Sequence, residues 1–330
     1  MATRALKSLL HRLLSASWQR KTAGFTLIEL LVNMMIASIV VSGLMYLVVQ
    51  LLETNQKESA QTETEGDMQS GLDFISSELR EAVYIYGGDC LQGQGETTNP
   101  NYCPGIVNHI PDIPNNSMPI LAFWKLKPLP DTLKTQCDNN TAATTVPCVA
   151  GRTYSLVVYF LRKNQSSEDT NWSGKSRITR YELSQYKSDG TATANYVTPN
   201  QSGVNFRIWP YKNSGGTPTN LQANKPTGAQ VTLVDFVDDT ARTGDSSVSC
   251  PATYVLTPSI TTAPFSDVRS FYACVKEGSG DEAGFNQDVF VFLRGNASGR
   301  AGMSNNSFLP TLQTQIFRRG IVNKLPSPLQ

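Results

Sequence analysis

Between Phe25 and Leu52 the sequence runs for twenty-eight residues with one charge, Glu29, and no proline. A helix of that length reaches roughly 42 Å at about 1.5 Å per residue, more than a hydrocarbon core of about 30 Å. No other segment approaches the roughly eighteen apolar residues that a membrane span requires. The residues ahead of it, 1–24, carry Arg4, Lys7, Arg12, Arg20 and Lys21 and no acid. The positive-inside rule therefore predicts one crossing, with residues 1–24 cytoplasmic and everything after about residue 53 exported. A secretory signal peptide fits poorly, because its apolar region is only about 7–15 residues long and ends at an A-x-A-like site. The stretch LLETNQKESAQT offers no such site.

Charge and composition narrow the function. The whole chain has 28 basic and 27 acidic residues, and removing the five basic residues of the leader leaves 23 against 27, a formal charge of −4. No Lys/Arg stripe with interleaved aromatics follows, so nucleic acid is not an expected partner. Only His11 and His109 supply imidazole among 330 residues, which leaves little for a His-based metal site or a Ser-His-Asp triad. No cofactor and no catalytic residues are expected, and the chain does not read as an enzyme.

Glu29 is out of place in a plain anchor, since a carboxylate within the apolar span costs about 2.5–3.5 kcal/mol on insertion scales. Its frame is Lys21-Thr22-Ala23-Gly24-Phe25-Thr26-Leu27-Ile28-Glu29-Leu30. GFTLIEL behind a basic leader and ahead of a long apolar helix resembles the type IV prepilin signature of pilins and type II secretion pseudopilins. The resemblance covers about thirty residues. It implies cleavage by a membrane aspartyl prepilin peptidase after Gly24, on the cytoplasmic side, and methylation of the new N-terminus at Phe25. It also implies that Glu29 neutralises the terminal amine of a neighbouring subunit during filament assembly, with other pilins or pseudopilins and the inner membrane as partners. The simpler reading of Glu29 is an acid favoured by the macrodipole at a helix N-terminus. The glutamate and the large size resemble a minor component of the W- or J-like sort.

Past the membrane, residues 53–67 are polar on every side. Met68, Leu72, Ile75, Leu79, Val83 and Tyr86 then follow at helical steps and predict an amphipathic stem over 53–88, ended by Gly87-Gly88. Residues 89–119 are proline-rich and read as loop. Strand-like runs are expected at 120–127, 153–162, 177–186, 204–209, 230–237, 268–276, 288–294 and 312–319. The expected class is α+β: a long N-terminal helix, transmembrane then amphipathic, packed on a largely antiparallel sheet in a pilin-like head over 89–330. Short strings in this part (AVYIY at 82–86, LVDFV at 233–237, VFLRGNA at 291–297, IFRRG at 316–320) are similar to cyanobacterial hormogonium polysaccharide secretion pseudopilins. That resemblance implies a filament serving polysaccharide export in gliding motility. A minor type IV pilus subunit for adhesion or DNA uptake is the alternative within the same class. A signal-anchored exported enzyme is the alternative outside it.

All six cysteines, Cys90, Cys103, Cys137, Cys148, Cys250 and Cys274, lie in the part expected to be exported, where disulfides are the default. Six cysteines permit fifteen connectivities. Pairing of neighbours (90–103, 137–148, 250–274) is expected because each pair brackets a loop-like segment; Cys274, inside a strand run, is also compatible with a buried thiol. Two acidic groups, Asp235/Asp238/Asp239 and Asp281/Glu282/Asp288, are candidate calcium turns, although neither follows the EF-hand pattern and solvated turns account for them as well. Trp172, in a polar loop, is a candidate for stacking on a sugar or for a protein contact.

Overall fold

The computed structural model describes residue 24, residues 26–95, 102–165, 171–213, residue 215, residues 217–241, 248–259, 264–276, 287–303 and 308–317. The chain divides into two compact units, residues 1–55 and 56–330. Helix α1, Leu27–Arg80, belongs to the first unit up to Asn55 and to the second from Gln56. Within the first unit every described residue is exposed, including Leu27, Ile28, Met34 and Ile39. α1 is long and apolar enough to cross a membrane, and none of its apolar window is buried. So large a continuous apolar surface is not expected to face water.

In the second unit the strands β1 (Ala82–Ile85), β2 (Ser117–Pro128), β3 (Arg152–Lys163), β4 (Ser176–Ser184) and β7 (Val231–Val237) form an antiparallel five-stranded sheet in the order 1-2-3-4-7. A second antiparallel sheet has the order 11-10-9-8, from β8 (Tyr254–Thr257), β9 (Phe271–Lys276), β10 (Asp288–Arg294) and β11 (Thr311–Phe317). A two-stranded ribbon joins β5 (Tyr211–Lys212) to β6 (Thr219–Asn220). Two short helices, α2 (Gly88–Gln92) and α3 (Asp131–Asp138), complete the described elements, with a 3-10 turn at Ile106–Asn108.

The main core is where the amphipathic half of α1 meets both sheets. Met68, Leu72, Ile75 and Leu79, each at most 2% exposed, pack with Leu121, Phe123, Val157, Tyr159 and Ile178 of the first sheet and Ala273, Val275, Val289, Val291 and Leu293 of the second. The opposite face of the first sheet carries a separate aromatic core, in which Trp124, Tyr154, Phe160 and Tyr181 are covered by Leu91, Ile106, Ile110, Val197 and Trp209 from the long connections. Strands covered on both faces lose their alternation, as the runs ILAFW and SLVVYFL show.

Several sequence expectations differ from the structure, which also adds α3 and strands β5, β6 and β8 outside the expected runs. The helix ends at Arg80, not near Tyr86, and Val83 and Tyr86 leave its apolar face. Residues 82–85 instead pair with β2, and Gln287 closes the remaining side by accepting from the Ile85 N–H and donating to its carbonyl, both at 2.9 Å. Gly88 then passes so close to β8 that an added Cβ would lie 2.1 Å from the Leu256 carbonyl oxygen. The run 204–209 is a series of turns and not a strand. Asn205 supplies local acceptors, its side-chain oxygen to the Ile208 N–H at 3.0 Å and its carbonyl to the Trp209 N–H at 3.0 Å, and such bonds compete with a ladder. Its aromatics still bury: Trp209 is 0% exposed and donates to the Val197 carbonyl at 2.7 Å. Within 89–119, read as loop, α2, the 3-10 turn and the start of β2 from Ser117 are the regular pieces.

The last turn of α1 is held by charge as well as by packing. Glu78 accepts from Lys125 at 2.6 Å, from Tyr159 at 2.5 Å and from Arg180 through two nitrogens at 2.8 and 2.9 Å. Arg180 and Lys127 also hold Glu182, at 2.8 and 2.7 Å. Burial alone would raise both carboxyls; the bonds from Arg180, Lys125 and Tyr159 bring Glu78 below its ordinary value, and those from Lys127 and Arg180 bring Glu182 to about 2. A depressed carboxyl stabilises the fold fully above its unfolded value, near 4.5, and that stability is lost as pH falls through the folded value. The urea midpoint of the second unit is therefore expected to hold from pH 7 to about 5 and to fall between about 4.5 and 2. Glu78→Gln breaks one side of this buried pair and is expected to cost about 3 kcal/mol at pH 7, measured by urea unfolding.

Candidate processing and assembly site

The sequence places the processing and assembly residues where α1 begins. Gly24 is exposed, and a Cβ built on it meets nothing within 4 Å among the described residues. Phe25 lies outside the described residues. Thr26 is the helix N-cap: its carbonyl accepts from the Glu29 N–H at 3.0 Å and the Leu30 N–H at 3.2 Å, and its hydroxyl oxygen accepts from the Glu29 N–H at 3.3 Å. Thr26-Leu27-Ile28-Glu29 has the spacing of a capping box, with the acid at the third helical position, where the macrodipole favours it. Thr26 was not among the residues singled out from the sequence, although T-x-x-E before an apolar run is a readable signal. Glu29 is exposed, and no ion pair to it occurs among the described residues.

The other candidates lie in the second unit. The cysteines stand as Cys90–Cys103, Cys137–Cys148 and Cys250–Cys274, with Cα atoms 5.5, 5.4 and 5.6 Å apart, and none is free. Their loops span 13, 11 and 24 residues. Closing loops of that size stabilises by about 3 kcal/mol each in the chain-entropy account. Non-reducing peptide mapping of the native protein is expected to recover these three linked pairs, with no thiol open to alkylation. Free thiols, or a different set of links, would overturn the assignment.

The calcium candidates are already engaged by protein groups. Asp235 accepts from the Ser173 and Gly174 N–H groups at 3.1 and 3.0 Å and from Asn164 at 2.8 Å, which anchors the loop bearing Trp172. Asp238, 0% exposed, pairs with Arg294 at 2.6 Å and accepts from Asn296 and Thr240. Asp239 faces Lys163 at 3.6 Å, and Asp288 faces Lys276 at 3.9 Å. Asp281 and Glu282 lie outside the described residues, as does the end of the string at 316–320. Trp172 is partly exposed beside the Arg177 guanidinium, 5.5 Å from the ring centre. His109, 5% exposed, sits 3.0 Å from Gln222 between Trp209 and Tyr211 and is a packed core histidine; burial pulls its pKa down.

No curated protein and no solved structure matches the chain. Residues 19–45 match the family described as the prokaryotic N-terminal methylation motif. That span contains Gly24, Phe25, Thr26 and Glu29 together with the first turns of α1. The sequence thus carries the N-terminal methylation motif of type IV prepilin-like proteins, set at the head of a long apolar helix.

Proposed function

We propose that this chain is a minor pilin-like subunit, a pseudopilin, cut by prepilin peptidase between Gly24 and Phe25 and methylated at Phe25. In this reading it sits in the inner membrane with residues 1–24 cytoplasmic and the disulfide-bearing part exported, and it joins a membrane-anchored filament through its N-terminal helix. Its role is that of an assembled subunit and not of a catalyst. The observation that carries the reading is the methylation motif over residues 19–45, in which Gly24 is exposed just ahead of α1. In this reading the peptidase is what requires a glycine before the cut.

The filament is proposed to serve secretion, with polysaccharide export in gliding motility as its purpose. The similarity of four short strings in the second unit supports that choice over adhesion or DNA uptake. Cells lacking the chain are expected to release less polysaccharide and to lose gliding while still taking up DNA. Normal secretion with failed DNA uptake would place the subunit in a pilus instead.

A further inference from the structure

The apolar run of α1 from Leu27 to Leu52 carries the polar side chains Glu29, Asn33, Ser38, Ser42, Tyr46 and Gln50. In a bilayer such groups must find their hydrogen bonds within protein, because hydrocarbon supplies none. Four of them do so inside their own helix. Ser38 donates to the Met35 carbonyl at 2.8 Å, and Ser42 to the Ser38 carbonyl at 2.7 Å. Gln50 donates to the Tyr46 hydroxyl at 3.2 Å, where the run approaches the polar stem.

The Glu29 carboxylate and the Asn33 carboxamide are the exceptions, with no partner for either among the described residues. They stand four residues apart, and so lie one turn apart on the same face of the helix. Glu29 has the dipole of the first turn to favour it. Asn33 has no such help. It lies about 9 Å along the axis from Leu27, in the second turn, where asparagine is also a weak helix former. A polar side chain that is costly in lipid and unused by its own helix points to a group brought by another helix.

We infer that Asn33 and Glu29 together receive the methylated amine of Phe25 from the neighbouring subunit. This rests on the processing and assembly reading above and adds a second acceptor to it. A methylated, protonated amine at a chain start is a secondary ammonium, with two N–H bonds and no lone pair. The Glu29 carboxylate accepts one of them and cancels the charge. The Asn33 side-chain oxygen accepts the other, so neither N–H is left bare in hydrocarbon. An unmethylated amine would bring a third. The amine then lies level with residues 29–33 of the accepting helix, which places the donor's Leu27 at least about 6 Å further into the span than the acceptor's. Two parallel helices shifted in this way keep both leaders on the same side of the membrane.

The test is run in cells on the full chain with its partner pilins, scoring cleavage, N-terminal methylation, membrane association and co-purification with those pilins. Asn33→Leu, close to asparagine in shape, is expected to be cleaved, methylated and inserted like wild type. It is expected to co-purify about tenfold less, the effect of losing one charge-assisted hydrogen bond. Asn33→Gln keeps the carboxamide and is expected to retain most of the assembly. Asn33→Ser keeps a polar group, but its hydroxyl turns back onto its own helix as those of Ser38 and Ser42 do, so it is expected to fail like Asn33→Leu. Adding Asn33→Leu to Glu29→Gln is expected to cost little beyond Glu29→Gln alone, because both side chains hold one amine. Full assembly of Asn33→Leu, rescue by Asn33→Ser, equal loss in Asn33→Gln, or losses that multiply in the double variant would overturn the inference and leave the processing site standing. A wild-type chain that is never cleaved, or that is cleaved and joins no pilin, would overturn the underlying reading and this inference with it.

Discussion

The variant Gly24→Leu is expected to remain at its full 330 residues, while the wild-type chain loses its first 24 and begins at methylated Phe25. Nothing within 4 Å among the described residues opposes a side chain at position 24, so the substitution crowds none of them. The peptidase is different. An active site that must hold the scissile bond within about 1 Å of its working geometry loses roughly 100-fold in rate for a misplacement of that size. A leucine beside the scissile bond is expected to displace the backbone in a site fitted to glycine, whereas Gly24→Ala adds one methyl group and is expected to slow cleavage partially. Intact-mass measurement on membranes containing active peptidase gives the result directly. The unfolding midpoint of the second unit serves as the control and should not move. If Gly24→Leu is cut as fast as wild type, or if the mature chain starts elsewhere, the motif over 19–45 is not a processing site in this protein.

How much of this was legible in the sequence depends on how local the cause is. The membrane-length run, the cleavage frame and Glu29 are contiguous, and so they could be read. The helical face Met68, Leu72, Ile75 and Leu79 was readable for the same reason, since the period is a property of the segment itself. The end of the helix was not. Val83 and Tyr86 continue the helical spacing, and only the need of β2 for an edge partner, with Gln287 reaching back from about 200 residues away, turns them into strand. The β-branched and aromatic character of AVYIY was the available hint. The run 204–209 failed in the opposite way, because its apolar residues bury without pairing and Asn205 draws the backbone into turns.

The ionic clusters were hidden for a further reason. Glu78, Lys125, Arg180 and Glu182 come from α1, β2 and β4, and nothing in their local sequence distinguishes them from solvated surface charges. The reading of Asp235, Asp238 and Asp239 as one acidic group has the same weakness. Neighbours in sequence, one in β7 and two just past its end, they diverge to a loop, to Arg294 and to Lys163 once the fold is formed. Thr26 is the opposite case, a local signal present in the sequence and overshadowed by the acid three residues later.

Glu29→Ala and Glu29→Gln are expected to insert, to be cleaved and to fold the second unit like wild type, yet to enter filaments at least tenfold less. The carboxylate sits in the first turn of an apolar helix with no ion pair among the described residues. A carboxylate at the centre of a span costs about 2.5–3.5 kcal/mol, and one in the first turn costs less the closer it sits to the interface, unless a cation meets it; one tenfold step in assembly is about 1.4 kcal/mol. Cleavage before Phe25 creates a cation four residues upstream, and side-by-side packing of two helices would set one chain's amine against the next chain's carboxylate. The geometry also supplies the rival explanation, because Glu29 occupies the acid position of a capping box with Thr26. Three variants separate the two. Thr26→Ala removes the cap, at a cost of about 1 kcal/mol, and keeps the charge. Glu29→Gln keeps a capping side chain and removes the charge. Glu29→Asp keeps the charge on a side chain one methylene shorter and is expected to fall between. Co-purification with partner pilins, scored beside cleavage and membrane association, reads the outcome. Assembly that survives Thr26→Ala and fails in Glu29→Gln assigns Glu29 to the contact between subunits. Assembly that fails in Thr26→Ala and survives in Glu29→Gln would make Glu29 a helix cap, and the salt bridge to the neighbouring amine would have to be abandoned.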